Sequence, residues 1–423
     1  MAGMESPTTV PAVVLRISIS ETEPLIWRQL VLPETATVAE LHGAIQSAFG
    51  WKDAHLYAVA GHDRAGKKRI IMGVDDGDGP AGTELAADVR LAELFDPHSP
   101  GLSDLQYDYD FGDNWTHEIE IVGPAVLHEN TVTCLDGAMR GPIEDSGGVG
   151  GYANVVAVVS NPKHPEHREA VEWLEFVTQE RVSKFDPAAF NLVAINDQLR
   201  LLARRLWPGD VTEEDVVFVL GPALWFLKQA DPDGLPLTSA GYLKPIVVKR
   251  AMTELGWIEP WNTNVSTESH AAPVRIVRER LQEWKLLRKS KDRLLLTPAA
   301  RKLINRPAML WHYIADRLAS PGHEGVKIAT QLRVHWDLSA SQPPRKIVDD
   351  VVQLALHEYG LRTATGADIP LDWARGLRID VHQSLLCLRL RGSTKWGSDE
   401  LGLSDAGVKF LLDVQSRWDG RSV

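Results

Sequence analysis

Cysteine is nearly absent from this 423-residue chain: Cys134 and Cys387 stand alone and form no C-x-x-C pair. That excludes a disulfide framework and a four-thiolate zinc site, and a reducing cytoplasm is the expected compartment. Long apolar runs are missing too. The longest, Val216 to Leu227, is interrupted by Gly221 and Pro222 and falls short of the roughly 20 residues a membrane span needs. No basic-then-apolar leader precedes Val13, so the expectation is a soluble, unexported, cytoplasmic protein with no membrane partner.

Positive charge is scarce in one half only. Residues 1–200 carry 14 Lys/Arg against 31 Asp/Glu, whereas residues 201–423 carry 31 against 26. The net charge of −12 is therefore an average over two unlike parts, which points to units with different partners. At 44% hydrophobic and 24% charged, the composition excludes a mainly disordered, collagen-like or coiled-coil protein.

In the acidic half, Val13, Leu15, Ile17 and Ile19 alternate, and Leu25 to Leu32 follow beyond Pro24, which predicts two half-buried strands. Thr37 and Glu40 make a capping box before a helical pattern of Val38, Leu41, Ile45 and Phe49, closed by Gly50. Residues 55–60 and 69–73 read as strands and 89–95 as a short helix. Residues 105–111 and 115–122 alternate on either side of Gly112-Asp113-Asn114, predicting a hairpin.

The segments LHGAIQSAFGWKDAHLY (41–57), YDYDFGDNWTHEIEI (107–121), CLDGAMRGPIEDSGGVGGY (134–152) and FDPAAFNLVAIN (185–196) resemble the plasmid pRiA4b Orf3-like family over about residues 12–197. The resemblance implies a compact α+β domain and no established activity, and some members carry a resolvase label. One departure is Gly141-Pro142-Ile143, where the family has a double proline before Glu-Asp. Resolvase chemistry conflicts with the charge: serine recombination needs arginines around a nucleophilic serine, yet residues 101–150 hold one basic residue, Arg140, against ten carboxylates. No nucleic acid is expected on this domain.

His55, Asp110, His117 and Glu144, with Asp108, Asp113 and Asp145, are the candidate catalytic or metal-ligating residues, provided that the hairpin and the Glu-Asp-x-Gly-Gly loop meet in space. A structural role competes for each and carries more weight from sequence alone. His117 shares a strand face with Trp115, Ile119 and Ile121, the place of a core histidine. Asp113 suits the turn, and Gly147-Gly148 suits a loop with unusual dihedrals. No metal or other cofactor is assigned on this basis.

Three local motifs are set aside. GHDRAGKK (61–68) lacks the Ser/Thr of a phosphate loop and runs into a strand. Asp75 to Gly79 breaks the calcium-loop alternation. His164 and His167 have no third ligand.

In the second half, residues 213–230 read as one buried helix, and a further helix runs through Met252. Val274, Val277, Leu281 and Trp284 line one face of a helix over residues 273–284, with Arg275, Arg278, Glu279 and Gln282 opposite. A hairpin tipped by Ser290-Lys291-Asp292 follows, and Thr297-Pro298 caps another helix. This is the order of a winged helix-turn-helix. A similar order recurs: helices over 344–359 and 372–388, a hairpin over 389–404, and a terminal helix capped by Ser404. Arg275, Arg278 and Gln282 would then face a major groove, with Arg288, Lys289, Lys291 and Arg293 near phosphates; Arg389, Arg391 and Lys395 would play the wing role in the second unit.

The expected fold is α+β: a two-layer α+β domain with an antiparallel-rich sheet over residues 12–187, a helical linker and first winged-helix-like unit over 188–306, and a second such unit over 307–423. The favoured reading is a non-enzymatic binding protein whose C-terminal half contacts a protein partner or DNA. A metal-dependent hydrolase built on His55, Asp110, His117 and Glu144 and a purely structural scaffold are the alternatives.

Overall fold

The computed structural model describes residues 9–74, 80, 82–258, 265, 267–339, 343–392, 396 and 402–418. The acidic turn at 75–79, Lys395 and half of the expected 389–404 hairpin lie outside the described residues. The chain is α+β and divides into two compact units, residues 1–207 and 208–423.

The first unit is built on strands β1 (Val10–Ile19), β2 (Trp27–Pro33), β3 (Tyr57–His62), β4 (Lys68–Met72), β5 (Glu84–Leu85), β6 (Gly101–Tyr109), β7 (Trp115–Leu127) and β8 (Thr133–Ala138). They form one sheet in the order β5-β4-β3-β6-β7-β1-β2-β8, antiparallel except for the β4/β5 pair. The alternation read in the sequence decides which face is covered: Val13, Leu15, Ile17 and Ile19 of β1 and Trp115, His117 and Ile119 of β7 are all buried.

Helix α1 (Val38–Phe49) begins at the expected capping box, with Thr37 accepting from the Glu40 amide and Glu40 accepting from the Thr37 amide, and ends at Gly50 in the left-handed region (φ 81°). The unit is completed by α2 (Leu91–Leu94), α3 (Gly148–Val159), α4 (His167–Thr178) and α5 (Leu192–Leu206); α5 lies against α1 and β8. The GHDRAGKK segment joins β3 to β4, and its Asp63 carboxylate accepts from the amides of Ala65 and Lys67, so it is a hairpin loop. His167 Nδ1 bonds the Val158 carbonyl at 3.0 Å, which leaves it a local structural contact.

The second unit runs α6 (Glu213–Val219), α7 (Gly221–Gln229), β9 (Leu235–Pro236), α8 (Pro245–Glu254), α9 (Ala272–Glu283), β10 (Leu287–Ser290), β11 (Arg293–Leu296), α10 (Pro298–Leu303), α11 (Pro307–Ala319), α12 (Glu324–Ser339), α13 (Val348–Glu358), α14 (Leu371–Leu386) and α15 (Asp405–Gln415). The helix expected over 213–230 is two helices. Pro222 sits in the first turn of α7, where its missing N–H costs nothing, but the same residue cannot extend the hydrogen-bond ladder of α6. The three short strands pair in the order β10-β11-β9. Val274, Val277, Leu281 and Trp284 of α9 are buried, as expected. Of the 389–404 hairpin, the described residues bridge Arg391 to Leu403 and pair the Ser404 amide with the Leu390 carbonyl, and Ser404 caps α15 through the Gly407 amide. No helix among the described residues is long and apolar enough to cross a membrane.

Candidate metal centre

Three pieces of chain far apart in sequence converge at one end of the sheet. The loop after α1 carries His55, the end of β6 carries Tyr109 and Asp110, and the segment after β8 carries Glu144 and Asp145. Their convergence has local causes. Arg28, buried on β2, donates to the carbonyls of Ala48, Trp27, Ala138 and Met139, tying the end of α1 to the chain leaving β8. Burial lowers its pKa to about 10. Gly141 then passes so close to α1 that a Cβ would lie 1.7 Å from the Phe49 carbonyl oxygen. Further on, the Gly147 amide donates to Asp113 at 2.9 Å, docking the Glu-Asp loop on the β6–β7 turn. Gly147 and Gly148 have φ of 84° and 69°, conformations suited to glycine.

Around His55 Nε2, Asp145 Oδ1 lies at 3.1 Å, Asp110 Oδ2 at 3.5 Å and Glu144 Oε2 at 3.6 Å. Donor atoms of His55, Asp110 and Asp145 all lie within 4.8 Å of one another. A cation about 2.1 Å from each of its donors separates adjacent donors by about 3.0–3.4 Å, so these spacings suit coordination. None of these contacts is a hydrogen bond, however: both His55 Nε2 and Glu144 Oε2 are buried without a hydrogen-bond partner. Buried polar atoms are ordinarily satisfied, and these two face each other at 3.6 Å beside the Asp110 and Asp145 carboxylates.

The other oxygens of the cluster are engaged. Glu144 Oε1 accepts from the Lys52 amide at 2.7 Å and from the Tyr109 hydroxyl at 2.9 Å, and Asp110 Oδ1 accepts from the Gly112 amide at 3.0 Å. Each buried carboxylate is held by one oxygen and offers the other. The Tyr109 hydroxyl is pushed up in pKa by burial and by the Glu144 charge, so it remains a donor. Trp51 and Tyr109 pack with centroids 5.2 Å apart, and the Tyr109 ring meets His55 edge-on at 5.9 Å, walling the inner side. Asp145 forms the outer, exposed side.

His117 does not join this group. It is fully buried, its Nδ1 bonds the Trp115 carbonyl at 2.9 Å, and its ring packs among Phe49, Trp51 and Tyr107. Burial pushes its pKa from 6.5 down to about 4, so it is a neutral core residue. Asp108 accepts from Thr116 Oγ1 across the hairpin. Asp145, which sequence reasoning placed beside the leading candidates, sits closest to His55.

In the second unit the residues expected on a recognition face are occupied by one another. Arg278 pairs with Glu268, which is 1% exposed, and also donates to Gln282 and Glu279; Arg275 pairs with Glu279 at 3.3 Å. Arg293 donates to the carbonyls of Asp233 and Gly234. Arg288, Lys289 and Lys291 are exposed on the hairpin. Arg389 is half-buried over the Phe218 ring, and Arg391 pairs with Asp337 at 3.0 Å.

The first unit is thus an antiparallel-rich α+β domain with a histidine–carboxylate cluster where its hairpin turn meets a glycine-rich loop. The chain belongs to the plasmid pRiA4b ORF-3-like family, whose description it matches over residues 11–194. It is 32% identical over 196 residues to the uncharacterized protein y4hQ of Sinorhizobium fredii (strain NBRC 101917 / NGR234), covering 45% of this chain and 92% of that protein. It is also similar to the crystal structure of a protein of unknown function, MM3350, from Methanosarcina mazei Go1, at 28% identity and a TM-score of 0.38, covering 44% of this chain and 98% of the other. Residues 216–309 match the Y4jL N-terminal domain.

Proposed function

We propose that the first unit binds a divalent metal ion through His55 Nε2, Asp110 Oδ2 and Asp145 Oδ1, with Glu144 Oε2 facing the ion's remaining coordination space. The observation that carries this reading is the pair of buried, unpartnered atoms, His55 Nε2 and Glu144 Oε2. One imidazole and two carboxylates form a mixed nitrogen–oxygen set that suits Mn²⁺, Fe²⁺ or Zn²⁺ better than a thiophilic ion. With an ion bound, Glu144 would be the group to accept a proton from water beside it, the chemistry that metal-assisted hydrolysis needs. Elemental analysis of the purified full chain tests the reading: about one transition-metal equivalent in the wild type and none in His55→Ala supports it, and metal-free wild type after growth and purification with added Mn²⁺ or Zn²⁺ contradicts it.

A second reading concerns the helical unit, which we infer serves a macromolecular partner, protein or DNA, without catalysis of its own. The order α7-β9-α8-α9-β10-β11, with the strands paired β10-β11-β9, supports comparison with winged helices. Duplex DNA titrated into the full chain at low salt tests the DNA form of this reading; no binding would leave a protein as the partner.

A further inference from the structure

The basic residues of α9 are neutralised by their neighbours, so a contact with a polyanion must use other cations. Residues 293–315, running from β11 into α11, contain Arg293, Arg301, Lys302 and Arg306 and no carboxylate. Where α10 meets α11, Arg301, Lys302 and Arg306 border a cavity of about 680 Å³ whose apolar lining includes Leu303, Met309 and Tyr313. All three cations are exposed, and none pairs with a carboxylate among the described residues, Arg306 reaching only the Met309 sulfur. Arg317 lies over the Tyr313 ring, 5.0 Å from its centroid, adding a fourth positive charge.

The cavity adjoins the base of the β10–β11 hairpin. Tyr313 donates its hydroxyl to the Trp284 carbonyl at 2.7 Å, and Thr297, the cap of α10, donates to the Lys285 carbonyl. Arg288, Lys289 and Lys291 project from the same hairpin. Unpaired cations are therefore grouped in the α10–α11 cavity and on the hairpin, while the exposed face of α9 is internally balanced.

We propose that this surface takes the phosphate backbone of duplex DNA, with Arg301, Lys302 and Arg306 neutralising phosphates beside the hairpin and α9 contributing no direct base reading through Arg278. The proposal rests on the partner reading of the helical unit and is independent of the metal site. A guanidinium or ammonium held clear of carboxylates gains from releasing DNA counterions, whereas one already paired must first break its bridge.

The test uses the full chain and a fluorescent random-sequence duplex across a range of NaCl concentrations, with single-stranded RNA of the same length as competitor. The expected result is duplex binding weakened more than tenfold at low salt in the Arg301→Gln/Lys302→Gln/Arg306→Gln variant, with the slope of log K against log[salt] shallower by about 2–3, since each lost phosphate contact removes about 0.9. Arg275→Gln serves as the α9 control and should bind as the wild type does. Circular dichroism melting confirms that the variants are folded, the replaced side chains being exposed. Duplex binding unchanged in the triple variant overturns this surface while leaving the partner reading standing. Absence of duplex binding by the wild type overturns both the surface and the DNA form of that reading, and equal affinity for the RNA overturns the assignment to duplex.

Discussion

The Tyr109 hydroxyl donates to Oε1 of Glu144 at 2.9 Å, and that bond decides which carboxylate oxygen is left to face His55. The last residue of β6 thereby orients a side chain 35 positions further along the chain. The same hydroxyl accepts from the Ala54 amide at 3.0 Å, so it also holds the loop that carries His55.

Tyr109→Phe is expected to lower stability by about 1–2 kcal/mol, because the Ala54 amide loses its acceptor and Glu144 loses a donor. Metal affinity should fall with it, by roughly tenfold, because the loop carrying His55 loses the hydrogen bond that holds it in place through the Ala54 amide. Urea unfolding and metal titration of the same variant measure the two effects separately.

Gly148→Ala should undock the Glu-Asp loop. Its backbone has a φ of 69°, and an added Cβ would lie 2.5 Å from the Asp113 carbonyl oxygen. A destabilisation of about 1–3 kcal/mol is expected from the strained conformation and the clash together. Faster exchange of the loop amides with deuterium, read by mass spectrometry, locates the damage.

His117 makes the fold acid-sensitive. Its pKa lies at about 4 in the folded state against 6.5 for the free side chain, so the unfolded chain takes up the proton first. Its contribution is complete above about pH 6.5, declines as the pH falls, and is gone once the pH has passed below about 4. The span corresponds to about 3 kcal/mol. Comparing urea unfolding at pH 7 and pH 4.5, the loss in His117→Phe should be smaller than in the wild type by about 2–3 kcal/mol.

Arg278→Met tests whether that arginine belongs to the fold rather than to a ligand. Removing it leaves the Glu268 carboxylate buried, with only the Leu243 amide donating to its second oxygen. Breaking a buried pair from one side costs about 3–5 kcal/mol. A large drop in melting temperature is the expected outcome, and an unchanged one would return Arg278 to the pool of residues available for binding.

Much of the first unit was legible in the sequence because its signals are local. The alternation of Val13 to Ile19, the Thr37/Glu40 box and the turn at Gly112-Asp113-Asn114 each declare an element within a few residues. The burial of His117 was equally legible from the face it shares with Trp115 and Ile119. The cluster was not, since nothing in the spacing of residues 55, 110 and 145 shows that the Glu-Asp loop folds back onto the hairpin turn. The contacts that bring them together, Arg28 with four carbonyls and Gly141 against Phe49, carry no periodic signature. His55 read as the start of a strand but lies in the loop before β3, which frees its ring to turn toward the carboxylates. On α9 the sequence pattern put Arg275, Arg278 and Gln282 opposite the buried Val274, Val277 and Leu281, yet all three are only half-buried rather than exposed, because Glu268, which neutralises Arg278 from the preceding turn, lies outside the helix whose pattern was read.

Calorimetric titration of Mn²⁺ and Zn²⁺ into the chelator-stripped full chain, beside Asp145→Asn, tests the central claim most directly. Asp145 is exposed, and asparagine tolerates its positive φ of 56°, so the variant should melt as the stripped wild type does. The account predicts one binding site in the wild type, a rise in melting temperature with the ion worth about 2.7 kcal/mol at a hundredfold excess over Kd, and the loss of both in the variant. Failure of either ion to bind the wild type, or equal binding by Asp145→Asn, would contradict it.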